Sequence, residues 1–305
     1  MPGSSFGTLF RISTFGESHG GAVGVVVDGA KPGVEICEAD IQKELDRRKP
    51  GQSAVTTPRE ESDTVKIMSG IFEGKLTGTP VMMMILNKDA RPSAYDNIKD
   101  LFRPGHADFT YTKKYGIRDH RGSGRASGRE TAGRVAAGAI AKKILASRGI
   151  TITAYTLKVA GIQCEKYCPE EIENNMVRAC DPDAAAKMVE KILEARDSKN
   201  SVGGVIECRI NGVPPGLGEP VFDKLDADLA KAMISLGATK GIEFGKGFAA
   251  ADMTGLEHND RMDHNGFQTN NAGGIIGGIS TGEEIIFRVA VKPTSSISSP
   301  QPTID

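Results

Sequence analysis

The chain of 305 residues contains no tryptophan, and aromatic residues make up only 5% of it. It also lacks an excess of either charge, because 38 Lys and Arg residues stand against 39 Asp and Glu residues, a formal net charge of −1. General nucleic-acid binders and membrane-surface binders usually carry a large basic excess. The charge balance therefore argues against both classes, and any anion site must be local.

Long hydrophobic runs are absent as well. The longest apolar stretches, such as Val81 to Leu86, are far shorter than the roughly 18 to 20 residues that span a bilayer. Residues 1–5 show neither the basic nor the apolar region of a secretory leader. We therefore expect a cytoplasmic protein that does not bind membranes.

Cysteine is scarce and irregularly spaced. Five is an odd number and the spacing is scattered, which does not suggest a disulfide framework, and one CxxxC pair alone is a poor zinc motif. We expect reduced, structural thiols and no metal site. The cysteines are Cys37, Cys164, Cys168, Cys180 and Cys208.

The rest of the composition is that of a folded protein, with 39% hydrophobic residues and 37 glycines that let the backbone turn often. Apolar runs predict strands at 22–27, 64–68, 81–86, 150–159, 202–210 and 284–291. Helical periodicity predicts helices at 38–48, 129–148, 182–196 and 223–236. Because these elements alternate without a regular βαβ rhythm, we predict an α+β fold.

An internal similarity emerges when the chain is shifted by 183 residues, which aligns residues 20–33 with residues 203–216. Both segments read as a strand, a turn and then a helix. Their Asp-Gly, Asn-Gly and Pro-Gly turn pairs are common, so chance recurrence is the alternative. We predict a single domain over residues 1–305 with two similar halves, antiparallel sheets sandwiched with helices, and a pseudo-repeat of residues 19–48 in residues 202–236.

A dense polar cluster lies between Phe102 and Thr131. From Arg103 to Arg134 there are eight Lys and Arg residues against three acids, a local excess of +5. Arginines interleaved with glycines ahead of a helix suit a phosphate or a polycarboxylate, and a solvated basic loop is the alternative. Residues 122–128 match neither a P-loop nor a dinucleotide fingerprint.

A second cluster surrounds His19, which follows Ser18 and precedes two glycines. A histidine here can donate a proton to a ligand, because its ordinary pKa is near neutrality. A structural role is the alternative for a single histidine. Adjacent serine and histidine do not favour a nucleophile–base pair, and no acid completes a hydrolase triad.

Seven stretches along the chain resemble sequences of the chorismate synthase family, and they occur in the same order as in that family. The match extends from the first to the last part of the sequence, which makes the resemblance specific. The stretches are Phe15 to Gly20, Leu45 to Gly51, Phe102 to Asp108, Arg121 to Thr131, Lys240 to Glu243, Asn271 to Gly274 and Lys292 to Ser296.

The resemblance implies a carbon–oxygen lyase of the shikimate pathway, which serves aromatic amino-acid biosynthesis. Members of this family convert 5-enolpyruvylshikimate 3-phosphate to chorismate by 1,4-anti elimination of phosphate. They require reduced FMN although the reaction has no net redox change. We expect NADPH only as an electron source for an external reductant, and we expect the homotetramer usual for the family.

The resemblance also implies roles for individual residues. His19 is expected to protonate the departing phosphate, and His106 is expected to lie near the flavin and stabilise its reduced, anionic form. The expected substrate-binding residues are Arg48, Arg103, Ser127 and Arg129. The expected FMN-binding residues are Arg125, Ala126, Ser127, Gly237, Ala238, Gly277, Lys292, Pro293, Thr294, Ser295 and Ser296.

The sequence departs from the family pattern in three places. Gly237 stands where members commonly carry an amide, and Ala54 where many carry an arginine associated with reduced nicotinamide or anion binding. The sequence ends at Asp305, before a segment with an Arg-His-Asp-Pro-like motif that supplies a catalytic aspartate in the family. A flavin- or anion-binding form without catalysis is therefore the alternative function. RNA binding through residues 103–134 is a weaker one, because few aromatic residues are interleaved.

Overall fold

The computed structural model describes residues 3–56, 59, 61–89 and 92–305. The chain divides into two compact units, one that extends to Ile144 and includes Pro300–Asp305, and one that comprises Leu145–Ser299. Of the residues 1–5, in which no secretory leader is expected, Met1 and Pro2 lie outside the described residues. Among the helices that are described, none is long and apolar enough to cross a membrane.

The first unit is built on an antiparallel sheet. Its described strands are β1 (Ser5–Phe6), β2 (Arg11–Gly16), β3 (Ala22–Asp28), β4 (Val65–Ile67), β5 (Ile71–Phe72), β6 (Lys75–Leu76) and β7 (Val81–Leu86). The sheet order is β1-β2-β3-β7-β4, and β5 and β6 form a separate hairpin. Strand β3, the first strand of the predicted repeat, is therefore central.

The helices at residues 38–48 and 131–146 pack against this sheet. Side chains on alternate positions of β3 and β7, such as Val25 and Met83, point into the core. They are fully buried and belong to one cluster with Ile140. Gly133 permits a close helix–sheet contact, because a Cβ there would lie 2.8 Å from the carbonyl oxygen of Gly24. The helices are α1 (Glu38–Arg48), α2 (Asp108–Tyr115) and α3 (Thr131–Ala146), with 3-10 turns at Pro92–Ile98, Arg121–Ala126 and Gly128–Glu130.

The second unit contains another antiparallel sheet, in the order β11-β16-β10-β8-β9. Strands β12 and β13 form one short hairpin, and β14 and β15 form another. The strands are β8 (Thr151–Val159), β9 (Ile162–Gln163), β10 (Gly204–Asn211), β11 (Thr239–Phe244), β12 (Met262–Asp263), β13 (Gly266–Phe267), β14 (Ile275–Ile276), β15 (Ile279–Ser280) and β16 (Ile285–Val291). The helices are α4 (Pro182–Asp197), α5 (Leu225–Ile234) and α6 (Gly255–His258), with 3-10 turns at Pro169–Glu171 and Gly247–Asp252.

Both faces of this second sheet are covered. Glu207 pairs with Tyr155 and the next residue, Cys208, pairs with Phe287, so the two pairs point to opposite faces. Tyr155 packs in a cluster with Met188 of α4, whereas Phe287 packs in a cluster with residues of α5. The α+β class with antiparallel sheets and covering helices is confirmed.

Most predicted elements form where the sequence placed them. Helix α1 and strand β7 agree with the predicted bounds at both ends. The helix predicted from residue 129 begins at Thr131, because residues 128–130 form a 3-10 turn instead. Strands β2 and β11 and helix α2 were not predicted.

The two segments of the predicted repeat share an order of elements. Residues 19–48 contain β3 and α1, and residues 202–236 contain β10 and α5. Each strand is third in its five-stranded order, and each is followed by a glycine at positive φ, Gly29 (+80°) or Gly212 (+79°). The pseudo-repeat of the two halves and the single domain over residues 1–305 stay predictions.

Candidate functional site

His19 lies in a buried loop between β2 and β3. It is 8% exposed, and its ring contacts the edge of Tyr95 with 5.0 Å between the centroids. Gly122 (φ +61°) lies directly against the imidazole, because a Cβ there would be 2.5 Å from His19 Nε2. Burial, and then the positive charge of Arg59, lower the pKa of His19 below its usual value. The imidazole is therefore neutral at neutral pH.

Arg59 and Glu61 hold the loop that carries His19. Arg59 donates from Nη1 to Ser18 Oγ (3.1 Å) and from Nη2 to the Ser18 carbonyl (3.0 Å). Its Nη2 also donates to Glu61 Oε1 at 2.7 Å. Burial raises the pKa of Glu61, but hydrogen bonds from the Lys88 amide and from Arg59 outweigh it and lower the pKa overall. Glu61 is therefore a buried, charged carboxylate.

Asp63 binds two of the arginines expected to hold the substrate. Its side chain is 0% exposed, and Oδ2 accepts a hydrogen bond from Arg48 Nη1 at 2.7 Å. Its Oδ1 accepts one from Arg129 Nη1. Arg48 also donates from Nε to Thr131 Oγ1 (3.1 Å) and from Nη2 to the Gly128 carbonyl (3.0 Å). The orientation of Arg48 is thus fixed at three points.

Arg129 is 4% exposed and has one donor left over. Its Nε donates to Asn87 Oδ1 at 2.9 Å, and its Nη1 donates to Asp63. Within the described part of the chain, its buried Nη2 has no hydrogen-bond partner, and Glu61 Oε2 lies 3.9 Å away. A buried guanidinium N–H is costly without an acceptor, so this atom is where the site would receive an anion.

Ser127 joins the arginines to the histidine loop. Its Oγ accepts a hydrogen bond from the Arg129 amide (3.2 Å), as a cap of the turn that precedes α3, and donates to Ser18 Oγ (3.1 Å). Hydrogen bonds therefore connect three expected residues, Arg48, Ser127 and Arg129, to Ser18, and His19 follows Ser18 directly in the chain.

Arg103 lies close to this cluster. Asp108 accepts from its Nε at 2.7 Å and from its Nη2 at 2.9 Å, and Nη2 also donates to Ser123 Oγ at 2.8 Å. Its guanidinium carbon lies 5.9 Å from the centroid of Tyr95, the ring that contacts His19. The bonds to Asp108 raise the pKa of Arg103, which stays charged.

His106 follows Arg103 in a turn that leads into α2. Its backbone amide donates to the Arg103 carbonyl at 3.2 Å, and its Nδ1 lies 3.0 Å from the Pro104 carbonyl oxygen. Because a carbonyl only accepts, Nδ1 carries a proton. The Nε2 atom is therefore an acceptor in the neutral ring and a donor in the protonated ring.

Arg125, an expected flavin residue, is bonded to strand β2. Its Nη1 donates to the Gly16 carbonyl (3.2 Å), and its Nη2 donates to Thr14 Oγ1 (2.8 Å). Ala126 follows it in the chain, directly before Ser127. These residues therefore lie along the same strand end that leads to His19.

The other expected flavin residues belong to the second unit. Ala238, at φ +69°, precedes β11, and its carbonyl accepts from the Lys292 amide (2.9 Å) after β16. Lys292 Nζ donates to Ser295 Oγ, and Ser201 Oγ donates to the Thr294 carbonyl (2.8 Å). The segment after β16 is thus fixed at several points.

The remaining residues of that set have space around them or are exposed to solvent. A Cβ at Gly237 or Gly277 would meet no atom within 4 Å, and Pro293 and Ser296 are exposed. The set offers an ammonium group, hydroxyl groups and backbone amides, which are donors suited to a phosphate.

The cluster around Asp63 is positively charged. Among the described residues, three guanidinium groups (Arg48, Arg59, Arg129) stand against two buried carboxylates (Glu61, Asp63), which gives these five side chains a net charge of +1. In the described residues, no three His, Cys, Asp or Glu side chains come close enough to hold a metal ion. The chemistry that the cluster suits is the binding of an anion next to a neutral imidazole.

The sequence analysis missed Arg59, Glu61 and Asp63. Each pairs with residues far away in the chain, so local charge alone does not reveal the pairing. One signal was available: an arginine and two acids stand at every second position directly before a predicted strand. Asn87, at the end of β7, was missed for the same reason.

Comparisons with known proteins agree on one family. A profile of the chorismate synthase family matches residues 10–305. A chorismate synthase of Methanosarcina mazei is 59% identical over 313 residues, with 100% of this chain and 86% of the relative covered. One of Roseiflexus castenholzii is 55% identical over 310 residues, with 100% and 87% covered. A crystal structure of chorismate synthase matches with a TM-score of 0.80 and 32% identity, over 94% of this chain and 85% of that one.

Proposed function

Because the chain belongs to the chorismate synthase family, we propose that it converts 5-enolpyruvylshikimate 3-phosphate to chorismate and phosphate in the shikimate pathway. The reaction is a 1,4-anti elimination, and the enzyme is a carbon–oxygen lyase that uses reduced FMN. One structural observation carries the proposal: a positively charged cluster, in which Arg129 Nη2 is buried and has no hydrogen-bond partner among the described residues, lies next to the loop of a neutral His19.

The charge of the substrate fits the cluster. The molecule carries two carboxylates and a phosphate, which holds about −1.5 to −2 charge at neutral pH. Arg48 and Arg129 bind its anionic groups, because their guanidinium forks are already oriented by Asp63. Ser127 and Arg103 complete the substrate-binding set from the edge of the cluster.

His19 supplies the proton for the leaving group. In the free protein its pKa is lowered, so the imidazole is neutral. A phosphate bound nearby adds negative charge, which raises the pKa of the imidazole and lets it take up a proton. The protonated His19 then donates that proton to the departing phosphate.

The residues expected to hold FMN have the right chemistry. Lys292 and the hydroxyl groups of Thr294, Ser295 and Ser296 suit its phosphate, and Ala238 and Gly277 offer a backbone without bulk. When bound, reduced FMN supplies electron density to the substrate ring. His106, with its proton fixed on Nδ1, becomes a cationic donor on a second protonation and would stabilise a nearby anion.

The assembly and cellular setting follow from the family alone. We propose a cytoplasmic homotetramer that receives reduced flavin from an external reductant with NADPH as the electron source. Size-exclusion chromatography with light scattering tests the first statement. Phosphate release with NADPH and FMN but no reductase tests the second, and turnover under those conditions would contradict it.

Anaerobic phosphate release tests the proposed function. The protein is mixed with 5-enolpyruvylshikimate 3-phosphate and FMN, reduced in one sample and oxidised in the other. We expect release of phosphate and formation of chorismate only with reduced FMN. Binding of substrate without release in either sample would select the non-catalytic flavin- or anion-binding function.

A further inference from the structure

Asp63 occupies a position that none of the family expectations includes. Its side chain is fully buried, and each of its two oxygens accepts from a different arginine, Arg48 on Oδ2 and Arg129 on Oδ1. Its backbone has φ +46°, which aspartate and asparagine tolerate better than other side chains. The position therefore suits a short carboxylate that reaches two guanidinium groups at once.

The two arginines need such a common partner. Long cationic side chains lose substantial rotamer freedom when they are ordered, and two guanidinium groups close together repel. Arg48 is held otherwise by neutral acceptors at Thr131 and Gly128, and Arg129 by the amide of Asn87. Asp63 supplies the charge-assisted bond that the two share, and Arg129 Nη2 keeps no hydrogen-bond partner in the part of the chain that the structure describes.

We propose that Asp63 is a positioning residue, which sets the orientation of Arg48 and Arg129 toward the anionic groups of the substrate. The inference rests on the proposed function. Orientation and net charge predict opposite effects of losing the Asp63 charge. Net charge alone predicts tighter binding of an anion, because the cluster becomes more positive. If orientation dominates, the same change weakens binding.

The substitution Asp63→Asn separates the two effects. Asparagine keeps the size and the tolerated φ but loses the charge and one acceptor. Binding of 5-enolpyruvylshikimate 3-phosphate is measured by calorimetry with oxidised FMN present, so that no turnover occurs. We expect binding about tenfold to a hundredfold weaker than in the wild type. Equal or tighter binding would overturn the proposal.

Two further variants serve as controls for the removal of a carboxylate and for the loss of a contact to Arg48. Asp28→Asn removes a carboxylate from an exposed pair with Arg11 (2.8 Å) and is expected to leave binding unchanged. Thr131→Val removes the Oγ1 that accepts from Arg48 Nε and is expected to weaken binding less than Asp63→Asn. If Asp63→Asn does not fold, Asp63→Glu takes its place, because it keeps the charge but moves the carboxylate away from Arg48 and Arg129, and unchanged binding in that variant would overturn the proposal.

The wild type in the same series separates this inference from the proposed function. If the wild type binds the substrate and releases phosphate with reduced FMN, the function stands, and the ratio of variant to wild-type affinity tests Asp63. If the wild type does not bind this substrate, the proposed function fails first. The Asp63 proposal then fails with it, because its two arginines have no such ligand to hold.

Discussion

Each unit of the molecule contains a buried carboxylate that binds two arginines, and the two clusters end with different charges. In the first unit, Asp63 binds Arg48 and Arg129. In the second, Glu207 is 2% exposed and accepts from Arg209 Nε at 3.0 Å and from Arg288 Nε at 2.7 Å. The local motif is the same in both units.

The difference lies in what surrounds the pair. Arg209 also pairs with Glu284 (3.1 Å) and Arg288 with Glu243 (3.5 Å), so three carboxylates face two guanidinium groups. The hydroxyl of Tyr155 donates to Glu207 as well, and burial raises the pKa of that hydroxyl. This second cluster is satisfied internally. A buried arginine–carboxylate pair therefore does not identify a binding site, whereas a leftover buried donor and a net positive charge do.

The largest expected effect is that of Arg129→Lys. Lysine keeps the charge but cannot reach Asn87, Asp63 and an anion with one planar fork. We expect kcat/KM to fall about a thousandfold, close to 4 kcal/mol of transition-state stabilisation. The matched change Arg209→Lys in the second unit is expected to leave kcat/KM unchanged. Equal losses in both would contradict the distinction between the clusters.

The reverse test is Glu207→Gln. It leaves two half-buried guanidinium groups without their shared carboxylate, which we expect to lower the free energy of unfolding by about 3 kcal/mol. Denaturant titration measures this loss. The kcat/KM of the folded protein should stay within about twofold of the wild type. A variant of normal stability with impaired catalysis would assign the second cluster to the active site instead.

A glycine pair tests the packing of His19. At Gly122 (φ +61°) an added methyl group would lie 2.5 Å from His19 Nε2, so Gly122→Ala should displace the imidazole and lower turnover about a hundredfold. Gly116 has a similar φ (+74°) with no atom within 4 Å. Gly116→Ala therefore carries the same backbone strain and should keep normal turnover. Matching losses would show that strain, and not the contact, is responsible.

The smallest effect concerns pH. Burial and Arg59 lower the pKa of His19 in the folded protein, so the unfolded chain binds a proton more readily. Stability from this source is present above the unfolded pKa, about 6.5, and is lost as the pH falls below it. Melting temperatures between pH 5 and 7.5 should fall less steeply toward acid in His19→Gln than in the wild type. A slope shared by the variant and the wild type would contradict the prediction.

Sequence patterns predicted the elements that have strong local signals. Helix α1 carries acids in its first turn and a proline–glycine stop, and β7 is a continuous apolar run. Helix α2 escaped prediction because its residues include Phe109, Thr110 and Tyr111, which favour strands, and no side chain caps its start. Strand β11 was missed because it contains Gly241 and charged residues, which are more typical of a loop than of a strand.

The site was predictable only in part, for a physical reason. Motifs on the chain identified His19, Arg48 and Arg129, because they recur in family stretches. Asp63 and Arg129 are 66 residues apart in the sequence, and a contact between residues so far apart depends on the folded backbone. The local count of +5 over residues 103–134 therefore overstated the free charge, since carboxylates outside that range neutralise part of it.

A crystal structure with 5-enolpyruvylshikimate 3-phosphate and oxidised FMN tests the central claim most directly. The account predicts that an oxygen of a substrate carboxylate or phosphate lies within hydrogen-bond distance of Arg129 Nη2, while Asp63 still binds both arginines. A substrate bound elsewhere, with Arg129 Nη2 still lacking an acceptor, would contradict it.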